Sequence, residues 1–142
     1  MSKTENPGRF IKNSVANKMI KKYFAYRREL KEKYDVPWNK QKDHYAYCFG
    51  LEEMRQLIAK ADAYNEGKPE FPAVGIRVYN TRTLSDVDPK DDVLMIPYLS
   101  NHKNMGPVDE ELDNNGEEII YTDENDEEDA LNDPIFCPPF CN

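Results

Sequence analysis

Three cysteines and two histidines are the residues of this chain best able to carry out chemistry: Cys48, Cys137, Cys141, His44 and His102. A catalytic cysteine needs a base within hydrogen-bond reach and a third group that orients the base. Cys48 and His44 share one face of a predicted strand, but the residues around Cys48 match no cysteine-hydrolase signature. We therefore interpret Cys48 as a packing residue and predict that the chain is not an enzyme.

The two C-terminal cysteines, Cys137 and Cys141, are separated by Pro138, Pro139 and Phe140. In polyproline II geometry, with a rise of about 3.1 Å per residue, the two cysteines stand about 12 Å apart. A disulfide needs Cα atoms within about 7 Å, and a shared metal needs similarly close sulfur atoms. This spacing argues against both bonds, although a cis-proline turn, at a cost of about 1 kcal/mol, would permit either. A small metal-binding protein that uses these thiols is therefore a weaker alternative hypothesis.

The acidic and glycine patterns match no known cation or phosphate site. Asp86, Asp88, Asp91 and Asp92 lack the glycine and the final glutamate of a calcium-binding loop. The six glycines are scattered singly, without the spacing of a phosphate-binding loop. We therefore expect no catalytic residue, no cofactor and no metal site.

Charge is distributed very unevenly along the 142 residues, which carry a net charge of −8. Residues 1–42 hold twelve Lys and Arg against four acids, whereas residues 101–142 hold one lysine against thirteen acids. A basic front and an acidic end are typical of chains that make charged contacts with partners. The negative total argues against nucleic acid as that partner.

The cellular location is predicted from the cysteine count and from the first residues. The chain begins Met1-Ser2-Lys3 without a charged and then apolar leader, and no run approaches the roughly 18 apolar residues of a membrane span. An odd number of cysteines favours free thiols in a reducing compartment. We therefore expect a cytoplasmic protein without a membrane partner.

Hydrophobic periodicity predicts two helices and three strands. The first helix runs from a cap at Asn13 or Ser14 to about Lys33, and the second from Leu51 to about Tyr64, with Gly67 as a left-handed cap. Strands are predicted at 44–49, 73–79 and 93–98, the last of them central. The fold class is α+β: two helices packed on a small, mostly antiparallel sheet of about three strands, with an acidic and largely irregular C-terminal tail.

The first helix carries an apolar stripe. Six side chains lie within about 120° of one another at 100° per residue. We call them the α1 stripe: Ile11, Val15, Met19, Tyr23, Tyr26 and Leu30. Ile20 and Phe24 lie apart from it, and we interpret them as a second core contact, with a partner surface as the alternative.

From residue 106 onward the composition is acidic, with thirteen acids between Asp109 and Asp133. Such a segment buries too little apolar surface to offset its ordering entropy, and Ile119–Tyr121 is a candidate edge strand within it. We predict a flexible arm at 1–8, a folded domain at 9–105 and an acidic tail at 106–142. The tail ends in a stiff apolar segment that we predict to bind a partner, or else to fold back onto the chain's own sheet. The predicted partner-binding residues are Phe136, Cys137, Pro138, Pro139, Phe140 and Cys141.

A family resemblance rests on residues 45–142. The segment Tyr47–Met54, the strand Gly75-Ile76-Arg77-Val78-Tyr79, the strand at 93–97 and the terminal Cys-Pro-Pro-Phe-Cys occur in that order. This order resembles a family of small Bacteroidota proteins with a Gly-Ile/Val-Arg-Val-Tyr strand and a C-terminal Cys-Pro-Pro-x-Cys motif. The resemblance implies a bacterial protein. It implies no activity and no functional residue, because none is assigned to the family.

The leading functional hypothesis is a non-enzymatic, cytoplasmic protein-interaction module whose tail docks to a protein partner. The alternative is an acidic regulator, or a nucleic-acid mimic, that masks a basic partner through the tail. Electrostatic contacts of that kind weaken steeply between about 50 and 200 mM salt, which separates the two hypotheses.

Overall fold

The helices and strands follow the predicted order. The computed structural model describes residues 7–39, 43–108 and 127–137. The α+β class is confirmed, but the four strands form two two-stranded sheets, β1 with β4 and β2 with β3, in place of one sheet. The elements are α1 (Asn13–Tyr34), β1 (Ala46–Cys48), α2 (Leu51–Glu66), β2 (Ala73–Arg82), β3 (Asp91–Leu99) and β4 (Ile135–Cys137).

The chain divides into two units. Unit 1 comprises residues 1–46 and 136–142, and unit 2 comprises residues 47–135. The division runs through the short strands β1 and β4 themselves. Residues 136 and 137, which the sequence analysis assigns to the tail, therefore belong to the same unit as α1.

Both ends of helix α1 are capped by the backbone, without a side-chain hydrogen bond at the N-cap. Its N-cap is Lys12, in extended geometry and without a side-chain hydrogen bond, so the predicted Asn13 or Ser14 cap is wrong. Asp35 at the C-cap is left-handed, with φ of 53°, and its N–H donates to the carbonyl of Leu30. A left-handed residue at this position satisfies a free carbonyl of the last turn and ends the helix ahead of Pro37.

Unit 2 is built on the antiparallel β2–β3 hairpin, whose register runs from Arg82 opposite Asp91 to Ala73 opposite Leu99. The loop is shorter than predicted, because both strands extend beyond their apolar residues. A register irregularity falls between Ala73 and Gly75. There the ring of Tyr98 lies so close to the backbone that a Cβ on Gly75 would stand 2.6 Å from its Cε1 atom. Only glycine fits at this position.

Strand β3 also bonds along its outer edge, as expected for a central strand. The Met95 N–H donates to the Leu131 carbonyl at 2.9 Å, and the Leu131 N–H donates back at 2.7 Å. The Leu99 N–H donates to the Lys103 carbonyl at 2.7 Å. Residues 127–135 therefore belong to the fold of unit 2, in contrast to the predicted free tail. The average acidity of the segment concealed Leu131, an apolar residue that pairs with Met95 of β3.

Helix α2 packs against β2 and β3 and buries Leu57. Its end differs from the prediction, since Gly67 has φ of −73° and the left-handed residue is Lys68. The side chain of Asn65 joins this helix end to β2. Its Nδ2 donates to the Ala73 carbonyl at 2.9 Å, and its Oδ1 accepts from the Ala73 N–H at 2.7 Å. The side-chain amide of Asn65 thus bonds both the N–H and the carbonyl of Ala73, as the backbone of a neighbouring strand would.

Each unit buries its own apolar residues. In unit 2, Ile96 is fully buried at the centre of β3, and Asp92 and Asn104 are buried polar residues. In unit 1, Trp38 and Cys137 are buried. The other buried apolar residues of unit 2 are Leu57, Ala73, Val93, Pro97, Leu99 and Pro134.

Candidate interaction surface

Helix α1 has no buried residue along its 22 positions. Five members of the α1 stripe expose between 40% and 61% of their surface, and only Leu30 is half-buried. Surface-exposed apolar residues are common singly, but a continuous row on one helix face is typical of a binding surface. The row from Val15 to Leu30 extends about 22 Å along the helix axis.

The interpretation of Phe24 as a core contact is confirmed, whereas the α1 stripe, which the sequence also assigned to the core, is largely exposed. The Phe24 ring is half-buried and lies 6.0 Å from the Trp38 ring and 4.9 Å from the Tyr45 ring, edge-on to the latter. Edge-to-face contacts of this kind stabilise aromatic clusters. Phe24 is thus the core contact of the helix, as interpreted from the sequence, whereas Ile20 is half exposed.

The charge of α1 is strongly positive. The helix contains seven Lys and Arg and two Glu, a net charge of +5. Its ion pair among the described residues joins Lys33 to Glu29 at 2.8 Å. The hydrogen bond from Lys33, and then its charge, hold the pKa of Glu29 below its usual range. The other six cations of α1 form no ion pair within the described parts of the chain.

Unit 1 also contains two buried donors to which the described residues offer no acceptor. Trp38 is 7% exposed, and its Nε1–H forms no hydrogen bond with any residue in the described ranges. The same holds for Nε of Arg27, which lies one turn after Phe24 on the half-buried side of α1. A buried donor without a partner costs about 1–3 kcal/mol.

The first two predicted partner-binding residues lie against unit 1. The Phe136 ring stacks on the His44 ring, with centroids 4.1 Å apart and planes 10° from parallel. The Tyr45 N–H donates to the carbonyl of Cys137 at 2.8 Å. Both residues therefore follow the alternative interpretation, in which the terminus folds back onto the chain. The remaining predicted positions, Pro138, Pro139, Phe140 and Cys141, lie outside the described residues.

The cysteines differ from their prediction. Cys137 is fully buried and disulfide-bonded, whereas Cys48 carries a free, exposed thiol and is not a packing residue. The distance argument against a disulfide assumed an extended polyproline geometry, and it fails for Cys137. A disulfide sulfur has no thiolate to donate, so the metal-binding alternative loses this ligand. The argument from free thiols to a reducing cytoplasm is weakened in the same way.

Thiol counting tests this assignment. A maleimide reagent applied to the denatured chain is expected to label one cysteine without reductant and three after reduction, because the chain holds three cysteines and a disulfide occupies two of them. In a Cys48→Ser control, labelling without reductant should disappear. Three labels without reductant would show that all thiols are free.

A polar network in unit 2 is absent from the sequence prediction. Arg77 on β2 donates through Nη1 to Oδ1 of Asn104 at 2.9 Å and through Nη2 to the His102 carbonyl at 2.8 Å. The guanidinium also lies 5.1 Å from the centroid of the Tyr98 ring. Asn104 donates to the Tyr79 hydroxyl and to the Val108 carbonyl. This network orders the loop that follows β3. His102 takes part in it through its backbone carbonyl, which is a structural role.

A shallow cavity of about 170 Å³ lies between α2 and residues 128–131 in unit 2. Its wall combines Leu57 and Leu131 with the carboxylates of Glu53, Glu128 and Asp129. Within the described ranges, no group of three His, Cys, Asp or Glu side chains is arranged to hold a metal ion.

Comparisons of the chain with protein-family models, with curated proteins and with solved structures gave no match. The resemblance to the Bacteroidota family therefore stays a prediction. Among the described helices, none is both long and apolar enough to span a bilayer.

Proposed function

We propose that this chain is a non-enzymatic protein-interaction module that binds its partner through the α1 stripe. The observation that carries the proposal is a 22-residue helix with no buried residue and a row of half-exposed apolar side chains. Helices that present such a row commonly dock it into a groove or against a second helix.

The stripe also has the spacing of a helix–helix contact. Met19, Tyr23, Tyr26 and Leu30 follow one another at intervals of four, three and four residues. Alternation of three and four is the pattern with which side chains of one helix meet those of another. Tyrosine supplies a large contact area with few rotatable bonds, and it is enriched in protein interfaces.

Docking by the C-terminal segment remains part of the proposal in a reduced form. Phe136 and Cys137 contact their own unit, so a partner that binds the terminus without opening β4 has to use positions 138–142. A Phe140→Asp variant of the full chain tests this contribution. Loss of partners from this variant would support docking by the tail, and unchanged partners would remove it.

A pair of matched variants tests the α1 stripe. Met19→Glu/Tyr26→Glu adds two charges to the stripe, and Asn17→Glu/Ala25→Glu adds the same two charges to exposed positions on the other face. In pull-downs from the host, the stripe variant is expected to recover its partners at least tenfold less well than the control, because each glutamate must lose its hydration in an apolar contact. A tenfold loss corresponds to about 1.4 kcal/mol.

Two outcomes would count against the proposal. Equal recovery of partners by the two variants would show that the stripe is not the binding surface. Binding that is insensitive to the stripe but collapses between about 50 and 200 mM salt would favour the acidic-regulator hypothesis. Circular dichroism of both variants confirms that α1 is intact before the comparison.

A further inference from the structure

We propose that the partner of the α1 stripe is an amphipathic helix of another protein whose apolar row is flanked by acidic residues. This inference rests on the proposed function and adds the chemistry of the partner. It is carried by the shape of the stripe and the charge around it.

The shape of the surface fits a helix. The half-exposed row is straight, about 22 Å long and one to two side chains wide, which matches the contact face of a helix of about four turns. A flat surface or a loop would leave part of such a row in water. A helix packed at the usual axial separation of about 8–10 Å covers it along its whole length.

The charges at the margins of the row indicate which charge the partner helix carries at its flanking positions. Lys22 and Arg27 flank Met19, Tyr23 and Tyr26 at the positions that face the edges of a packed helix. Neither cation forms an ion pair with a residue that the structure describes. Acidic residues at the matching positions of a partner would pair with them, whereas basic residues would be repelled.

The same charges argue against the other occupants. A second copy would bring a helix of net charge +5 against an identical one. Nucleic acid or an anionic bilayer is an extended polyanion, which the net charge of −8 on the whole chain repels. A single helix with acids only at its margins is small enough to contact α1 alone.

Two designed probe peptides test the inference with the full-length protein. Both have about three heptads with Leu and Ile at the core positions; one carries Glu at the flanking positions and the other carries Lys. In fluorescence anisotropy titrations, the Glu peptide is expected to bind at least tenfold more tightly than the Lys peptide, with an advantage that shrinks as salt rises. Equal affinity, tighter binding of the Lys peptide or no binding of either peptide would overturn the inference.

Charge-reversal variants separate local from overall charge. Lys18→Glu/Lys22→Glu is expected to abolish the preference for the Glu peptide, since Lys22 lies at one margin of the stripe and Lys18 lies one turn before it on the same side of α1. Lys60→Glu/Lys68→Glu changes the net charge equally at exposed positions of unit 2 and should keep the preference. If both pairs act alike, only overall charge matters and the inference fails.

Three further measurements test whether a different ligand occupies the α1 stripe. A labelled single-stranded oligonucleotide, or vesicles with anionic lipids, bound more tightly than the Glu peptide would overturn the inference. So would a concentration-dependent dimer in sedimentation that the stripe variant abolishes. If host partners depend on the stripe but the peptides bind alike, the interaction function stands and the charge inference fails. If host partners ignore the stripe, the proposed function itself fails.

Discussion

Replacing Asn104 with alanine is expected to lower the free energy of unfolding of unit 2 by about 2–4 kcal/mol. The side chain is buried and makes three hydrogen bonds, one accepted from Arg77 and two donated, to the Tyr79 hydroxyl and the Val108 carbonyl. Alanine leaves these groups without their partner in a region that water reaches poorly. The loss of a partner for a charged guanidinium is the most costly part.

Hydrogen exchange is the measurement of choice, because the single tryptophan, Trp38, lies in unit 1 and reports on that unit. The amides of Met95 and Leu99, both bonded along the outer edge of β3, are expected to exchange roughly 30- to 1000-fold faster in Asn104→Ala, if they open by global unfolding. Asn80→Ala is the matched control, an identical change at an exposed position of β2. A change below about 0.5 kcal/mol is expected there. Similar exchange in the two variants would show that the network is not stabilising.

Truncation after Val108 is expected to destabilise the chain by more than about 3 kcal/mol, or to prevent folding. Unit 2 loses the pairing of Leu131 with Met95 and the bonds from Asn132 to Asp92 and to the Val93 carbonyl. The freed Met95 amide and carbonyl then face the solvent along an open strand edge, where strands of other chains can add. Unit 1 loses Cys137, which is fully buried, and the ring stacked on His44.

A linker variant is the control for this truncation. Residues 109–126 are replaced by a Gly-Ser segment of equal length, which retains 127–142 and keeps the loop-closure entropy nearly constant. Urea unfolding followed by circular dichroism is expected to give nearly the wild-type midpoint for the linker variant and a much lower one for the truncated chain. Equal stability of the truncated and full-length chains would instead support the self-sufficient core at 9–105 that the sequence predicts.

Local patterns in the sequence were sufficient for the main elements. Helix α1 and helix α2 appear within two residues of their predicted ends, because apolar side chains at intervals of three and four are a local property of the chain. Strands β2 and β3 were predicted from β-branched and apolar runs, and their antiparallel pairing from the polar loop between them. Both strands are longer than predicted, because the polar residues near the loop also pair through their backbones.

Features that depend on a distant partner were not predictable. Asn65, in the last turn of α2, and Asn104, in a loop, resemble any other asparagine until their hydrogen-bond partners are known. The short strand β4 carries no periodic pattern of its own, and its pairing with β1 joins residues nearly ninety positions apart. From the composition alone, we assigned both strand β4 and Leu131 to the tail, because the average composition of the tail is acidic.

The sequence by itself determined the α+β class, the two helices, the β2–β3 hairpin and the uneven charge, because each follows from side chains near one another in the chain. Only the tertiary structure decided which face of α1 is covered. Both Phe24 and the α1 stripe are apolar, and periodicity cannot distinguish between two apolar faces of one helix. The contact of Phe24 with Trp38 and Tyr45 leaves the α1 stripe exposed, and the proposed function depends on that exposure.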